Sequence, residues 1–139
     1  MAERIYTEIV TALQTQDTTT SKNVLARYRA ILTDRLAGTN LYIVILCKAI
    51  QNANKQLVEF LLATTKMPEF KFQQHFGYTP VGLAHKLQHS DLLPILLKHS
   101  NKNFTMYVAN KFGRMKVVAF LQQCGISFHH KLFGFLQRK

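Results

Sequence analysis

The stretch Gly77-Tyr-Thr-Pro-Val-Gly-Leu-Ala-His-Lys-Leu-Gln-His-Ser-Asp-Leu-Leu-Pro-Ile-Leu-Leu-Lys-His99 decides how the rest of the chain reads. Thr79 offers a hydroxyl that accepts from a backbone N–H as an N-cap, and Pro80 fits the first helical position, where its missing N–H costs nothing. A short helix through Leu87 is predicted. Gln88, His89 and Ser90 turn the chain, and a second helix follows over residues 91–98. Pro94 places the start of that helix close to Asp91, because a proline is tolerated only where its absent N–H would be unpaired anyway. The unit is two short helices joined by a tight turn.

The same unit recurs. An alanine is followed eight residues later by an apolar pair and twelve residues later by a leucine: Ala49 with Leu57, Val58 and Leu61; Ala84 with Leu92, Leu93 and Leu96; Ala109 with Val117, Val118 and Leu121. The copies are 35 and then 25 residues apart, so the linkers vary while the helix pair does not. A small residue on the first helix lets its neighbour approach closely, and apolar residues three to four apart share one face of the second. One such pair cannot bury its own apolar face, whereas several stacked together share a continuous core. Each copy also carries a turn in register: Asn52-Ala53-Asn54, Gln88-His89-Ser90 and Gly113-Arg114. On composition alone Leu41-Tyr-Ile-Val-Ile-Leu-Cys47 reads as a buried strand. The register of Ala49 with the other copies makes it a helix instead.

At these residues the chain resembles the ankyrin repeat, a helix–turn–helix unit of about 33 residues with a Thr-Pro-Leu-His-x-Ala signature. Thr79-Pro80-Val81-Gly82-Leu83-Ala84 is similar to the head of that unit, and Leu92-Leu93-Pro94-Ile95-Leu96-Leu97 to its second helix. The resemblance spans roughly residues 40–126. It departs from the family pattern where Gly82 replaces the histidine, Gln88 replaces the turn glycine and Pro94 enters the second helix. It implies an all-α, ankyrin-like solenoid of stacked helix–turn–helix repeats that binds another protein. It also implies a projecting β-hairpin finger at residues 67–76, between Ala49's copy and Ala84's. Short divergent repeat modules of this kind also occur in bacterial effectors and viral host-interaction proteins.

Outside the repeats, residues 3–15 place Ile5, Ile9, Val10 and Leu13 on one helical face, and residues 17–21 form a polar break. A second helix is predicted over residues 23–37, ended by Gly38. Residues 1–39 thus form an N-terminal helical pair, 40–126 three repeats, and 127–139 a C-terminal capping helix, all within one domain. A chain of 139 residues, 47% hydrophobic and 18% charged, has the make-up of a globular protein.

Charge is unevenly spread. Of the net +11, residues 92–139 carry +8, with eight Lys or Arg and no acid. Such an end attracts acidic proteins, nucleic acid or other polyanions through its field. Two cysteines, Cys47 and Cys124, are too few for a disulfide scaffold and read as free thiols. No secretory signal is visible, and the apolar run at residues 41–47 is too short to span a bilayer. An intracellular protein is expected, in cytoplasm or nucleus, or in host cytoplasm if it is an effector.

Nothing in the sequence points to catalysis or to a cofactor. The six glycines are scattered rather than gathered in a phosphate-binding loop. His85 and His89 are four apart, but no cysteine or carboxylate is spaced to complete a metal site with them, and His129-His130 point apart on a helix. Cys124, Gly125 and His129 suggest a nucleophile and base only weakly, since a cysteine beside a glycine at a helix end is usually structural. Binding residues are sought elsewhere. Phe70, Phe72, His75 and Phe76 in the expected finger either tuck their rings onto the adjacent helices or form a candidate contact set, joined by Lys111, Arg114 and Lys116 from the basic third. The expected partner is an acidic protein. The alternative is nucleic acid, engaged by rings interleaved with cations from Lys102 to Lys116.

Overall fold

The computed structural model describes residues 2–15, 17–34 and 38–126, and among these it is wholly helical with no strand. The helices are α1 (Ala2–Gln14), α2 (Thr19–Leu32), α3 (Gly38–Gln51), α4 (Lys55–Thr64), α5 (Glu69–Phe76), α6 (Pro80–Lys86), α7 (Leu93–His99), α8 (Lys102–Lys111) and α9 (Met115–Gln123). Four hairpins result: α1 packs on α2, α3 on α4, α6 on α7 and α8 on α9. Between hairpins, α1 packs on α3, α3 on α6 and α6 on α8. The first helix of each hairpin therefore touches the first helix of the next. No helix among the described residues is long and apolar enough to cross a membrane.

The three copies found in the sequence share their turn geometry as well as their residue types. In the first, the N–H of Asn54 donates to the carbonyl of Ala49 at 2.8 Å and that of Ala53 to Ile50 at 3.1 Å. In the second, His89 donates to Ala84 at 3.0 Å and Gln88 to His85 at 3.1 Å. In the third, Arg114 donates to Ala109 at 2.8 Å and Gly113 to Asn110 at 3.1 Å. This pair of bonds is the Schellman ending, which satisfies orphan carbonyls by swinging one residue into the left-handed region. That residue is Ala53 at φ 52°, Gln88 at 63° and Gly113 at 67°. Gln88 thus adopts the turn conformation although it stands where glycine is usual.

Packing follows the same register. Ala49 and Ala84 are fully buried and Ala109 is 2% exposed, so each first helix closes on its neighbours at a methyl group. Leu57, Val58, Leu61, Leu92 and Leu96 are inaccessible, and Leu93, Val117, Val118 and Leu121 are buried beside them. Truncating any of the buried leucines to alanine costs ~2–5 kcal/mol, because the site collapses only partly around the hole. Tyr42 of α3 donates its hydroxyl to the carbonyl of Leu61 on α4 at 2.6 Å and locks the second hairpin from inside. Residues 41–47 lie within α3, as the repeat register predicts and against their strand-like composition.

Capping explains several boundaries, and three helices begin or end away from the expected positions. Thr79 accepts from the N–H of Gly82 at 3.1 Å, and Pro80 opens α6 as expected. Asn54 and Asn101 cap α4 and α8 in the same way. Pro94 falls in the first turn of α7, which begins at Leu93 rather than near Asp91. The second helix of the N-terminal pair starts and ends earlier than the expected residues 23–37. Thr18 accepts from Ser21 at 3.1 Å, so the polar stretch 19–21 is already helical and α2 ends at Leu32. Gly38 does not end α2 but starts α3, where a Cβ would lie 2.5 Å from the carbonyl oxygen of Ile31 and 2.6 Å from that of Leu32. Glycine is required there by close approach, not by a turn. The capping helix expected at 127–139, which holds the His129-His130 pair, and residues 35–37 of the expected second helix fall outside the described residues.

The expected β-hairpin finger at residues 67–76 is a helix. Pro68 stands at the N-cap of α5 with its carbonyl accepting from Phe72 at 3.0 Å, and Gly77 at φ 78° ends the helix by donating to Gln73 at 2.8 Å. The finger is an implication of the family resemblance, and the residues themselves carry a helical signal. The pair that decides is Phe72 and Phe76, four apart and therefore on one helical face, with ring centroids 4.9 Å apart.

Candidate functional site

The seven residues singled out in the sequence do not form one surface. Phe72 is fully buried and Phe76 half-buried against it, and His75 sets its ring edge-on to Phe76 with centroids 4.6 Å apart. Phe72 and Phe76 hold α5 in place, while His75 stays exposed at its surface. Phe70, two positions from Phe72 and so on the opposite side of the helix, is 60% exposed. Its ring lies 6.1 Å from that of Phe104 on α8. Phe70 and Lys111 line a common cleft of about 320 Å³ with Phe104, Tyr107 and Phe112. Here the structure does bring the two predicted sets together.

Arg114 and Lys116 belong to a larger groove of about 750 Å³ between the third and fourth hairpins. Arg114 is placed by its backbone, because the Schellman bond to Ala109 fixes it directly after the left-handed Gly113. From there its guanidinium carbon lies 3.5 Å from the centre of the Tyr78 ring and 5.0 Å from that of Phe112. Tyr78 sits between Gly77, which ends α5, and the capping Thr79, so its ring is held at the base of α6. Lys86, at the other end of α6, brings its ammonium 4.7 Å from the same ring. His85 and Phe120 stack with centroids 4.9 Å apart across α6 and α9.

Cations and rings therefore alternate along a strip from Phe70 through Lys111 and Phe112 to Arg114, Tyr78 and Lys86. The Lys111 ammonium is 5.9 Å from the Phe112 ring, which joins the cleft to the groove. Cation–π contacts of this kind are worth about 0.5–1 kcal/mol each at exposed sites. Phe112 is 49% and Met115 63% exposed beside them. No acidic residue is found among the described residues that line the groove. Tyr78, His85, Lys86, Met115 and Phe120 were not among the expected site residues. Met115 simply follows Arg114 in the chain, while Tyr78, His85 and Lys86 meet it through hairpin packing that no local spacing marks.

His85 and His89 engage different neighbours: His85 stacks on Phe120, while His89 brings Nε2 within 3.3 Å of the Gln51 carbonyl. Among the described residues, no group of three or more His, Cys, Asp or Glu side chains is placed to hold a metal ion. Glu69 is the one buried carboxylate among the described residues, at 8% exposure. It accepts from the backbone N–H of Asn101 at 2.6 Å and, at 3.4 Å, from the Thr105 hydroxyl. Its role is to tie α5 to the start of α8. Comparison of the chain with protein-family models, with curated proteins and with solved structures finds no match.

Proposed function

We propose that the chain is a non-catalytic protein–protein interaction module, a short divergent solenoid of ankyrin type that docks an acidic partner protein. The observation that supports this reading is the threefold recurrence of one hairpin geometry. Ala49, Ala84 and Ala109 are each buried, each is followed by the same two turn bonds, and each is followed by buried apolar residues on the second helix. Hairpins that share one design and touch through their first helices build an extended surface, and such arrays act by presenting it. The excess of basic charge in residues 92–139 gives the partner its sign.

Nucleic acid is the second reading, favoured by the same charge excess. Counterion release makes its binding fall steeply as salt rises, whereas a partner anchored by apolar side chains is far less sensitive. The test is capture by the immobilised full chain from nuclease-treated and untreated extract at low and high salt. The retained species is then purified and titrated against the chain. A polypeptide that binds saturably at both salt levels supports the reading. Retention that disappears with nuclease, or with salt alone, overturns it in favour of the polyanion.

A further inference from the structure

We infer that the groove between α6 and α9 is the docking site for an extended acidic segment of the partner, in which carboxylates stand next to a large apolar side chain. The inference rests on the protein-binding reading above and adds the site and the chemistry of what fills it. Lys86, Arg114 and Lys116 all line the groove, and no acid among its described lining residues offsets them. An entering carboxylate would therefore meet cations that lack a competing counter-charge in the groove itself.

Arg114 is arranged in advance. A guanidinium 3.5 Å from a ring centre is held by that ring, while its N–H donors lie in its own plane and address a carboxylate as a fork. Holding the side chain beforehand removes part of the ordering cost that binding otherwise carries. Beside it, Met115 at 63% exposure lines the groove and gives apolar contact for a neighbouring side chain of the peptide. A thioether surface accepts varied aliphatic and aromatic shapes.

A nucleic-acid strand suits the groove less well. Bases need ring faces to stack on. Here the Tyr78 ring already carries Arg114 and Lys86, and the Phe120 ring is paired with His85. What the groove leaves for a ligand is charge and aliphatic or edge contact, which carboxylates and apolar side chains satisfy together.

The test uses the full chain and fluorescence anisotropy with three labelled probes. These are a peptide built from Glu-Glu-Phe-Glu-Glu-Leu, its glutamine counterpart, and oligothymidylate. The acidic peptide is expected to bind, and Arg114→Ala to weaken it by about tenfold or more, equivalent to about 1.4 kcal/mol. Lys116→Glu, at an exposed position, is expected to act in the same direction without touching the Tyr78 stack. Lys55→Ala, at the start of α4 and outside the groove lining, is expected to change nothing beyond about twofold. Circular dichroism of each variant separates loss of binding from loss of fold, and Lys116→Glu carries the test if Arg114→Ala unfolds.

Equal weakening by Lys55→Ala, or binding of the glutamine peptide as tightly as the acidic one, overturns the inference. Tighter, Arg114-dependent binding of oligothymidylate overturns it in favour of a nucleic-acid site. If no probe binds while the extract still yields a saturable protein partner, the groove assignment falls and the interaction-module reading stands. If that capture fails too, both fall.

Discussion

The carboxylate of Glu69 accepts the backbone N–H of Asn101 at 2.6 Å, joining a helix in the longest linker to the N-cap of α8, thirty-two residues away. Burial raises the pKa of this carboxyl above the ordinary glutamate value, while the Asn101 N–H, the Thr105 hydroxyl and the charges of Lys66 and Lys102 oppose that rise. The sign for stability follows. Between the ordinary and the raised value the folded chain holds more protons than the unfolded one, so Glu69 makes stability fall as pH rises through that window. Glu69→Gln keeps an acceptor for Asn101 and removes the buried charge. Its stability relative to the parent is expected to improve as pH rises from acid to neutral, read as denaturation midpoints across a pH series. Glu69→Ala leaves the Asn101 N–H unpaired and is expected to cost about 1–2 kcal/mol.

Gly38 is expected to tolerate no side chain. A Cβ at this position would meet the carbonyl oxygens of Ile31 and Leu32 at 2.5 and 2.6 Å, and both are backbone atoms that move only with the end of α2. Gly38→Ala should lower stability by ~1–3 kcal/mol, the usual cost of forced overpacking. Thermal denaturation checks this directly.

The left-handed residues that close the three recurring hairpin turns, Ala53, Gln88 and Gly113, give a matched pair of predictions. At Gly113 a Cβ would meet nothing within 4 Å, so the cost of Gly113→Ala is conformational alone and is expected near 1 kcal/mol. Ala53 already bears that strain at φ 52°. Ala53→Gly should raise stability by a few tenths to about 1 kcal/mol, reduced by the extra freedom glycine has in the unfolded chain. Chemical denaturation of both variants, compared with Gln88→Gly, shows whether the turns respond as equivalents.

Thiol chemistry separates the two cysteines. Cys47 is 6% exposed, and burial pushes its thiol pKa up against the weaker pull of Lys48, whereas Cys124 at the end of α9 is exposed. Ellman's reagent should modify Cys124 quickly in the native protein and Cys47 only once denaturant opens the core. Cys124→Ser should leave helix content and partner capture unchanged. Loss of function in that variant would point to thiol chemistry instead of docking.

The hairpins were legible because their signals are local. Ala84, the Thr79-Pro80 head and the Leu92–Leu93–Leu96 face lie within one short stretch, and periodicity reports such features well. Ala49 overrode the strand-like composition of α3 by register with its counterparts. The errors arose where the reading went beyond such local signals. The finger at residues 67–76 comes from the resemblance, whereas Phe72 and Phe76 pair like a helix, and the buried ring decided. Gly38 resembled a helix stop, while its actual role depends on α2 crossing α3 within van der Waals distance. The site was read only in part. Lys111, Arg114 and Lys116 stood out by charge, but Tyr78 and Lys86 join them through hairpin packing that no spacing encodes.

Ala53, Gln88 and Gly113 close the same bend with a methyl group, an amide and a bare hydrogen. Backbone donors and acceptors define that bend, so its outward position is nearly indifferent to identity, with a penalty of about 1 kcal/mol for departing from glycine. Descendants of one ancestral hairpin could drift apart in spelling at this corner while the corner itself survived. Kinship among such copies is therefore better traced through carbonyl-to-amide geometry than through letters.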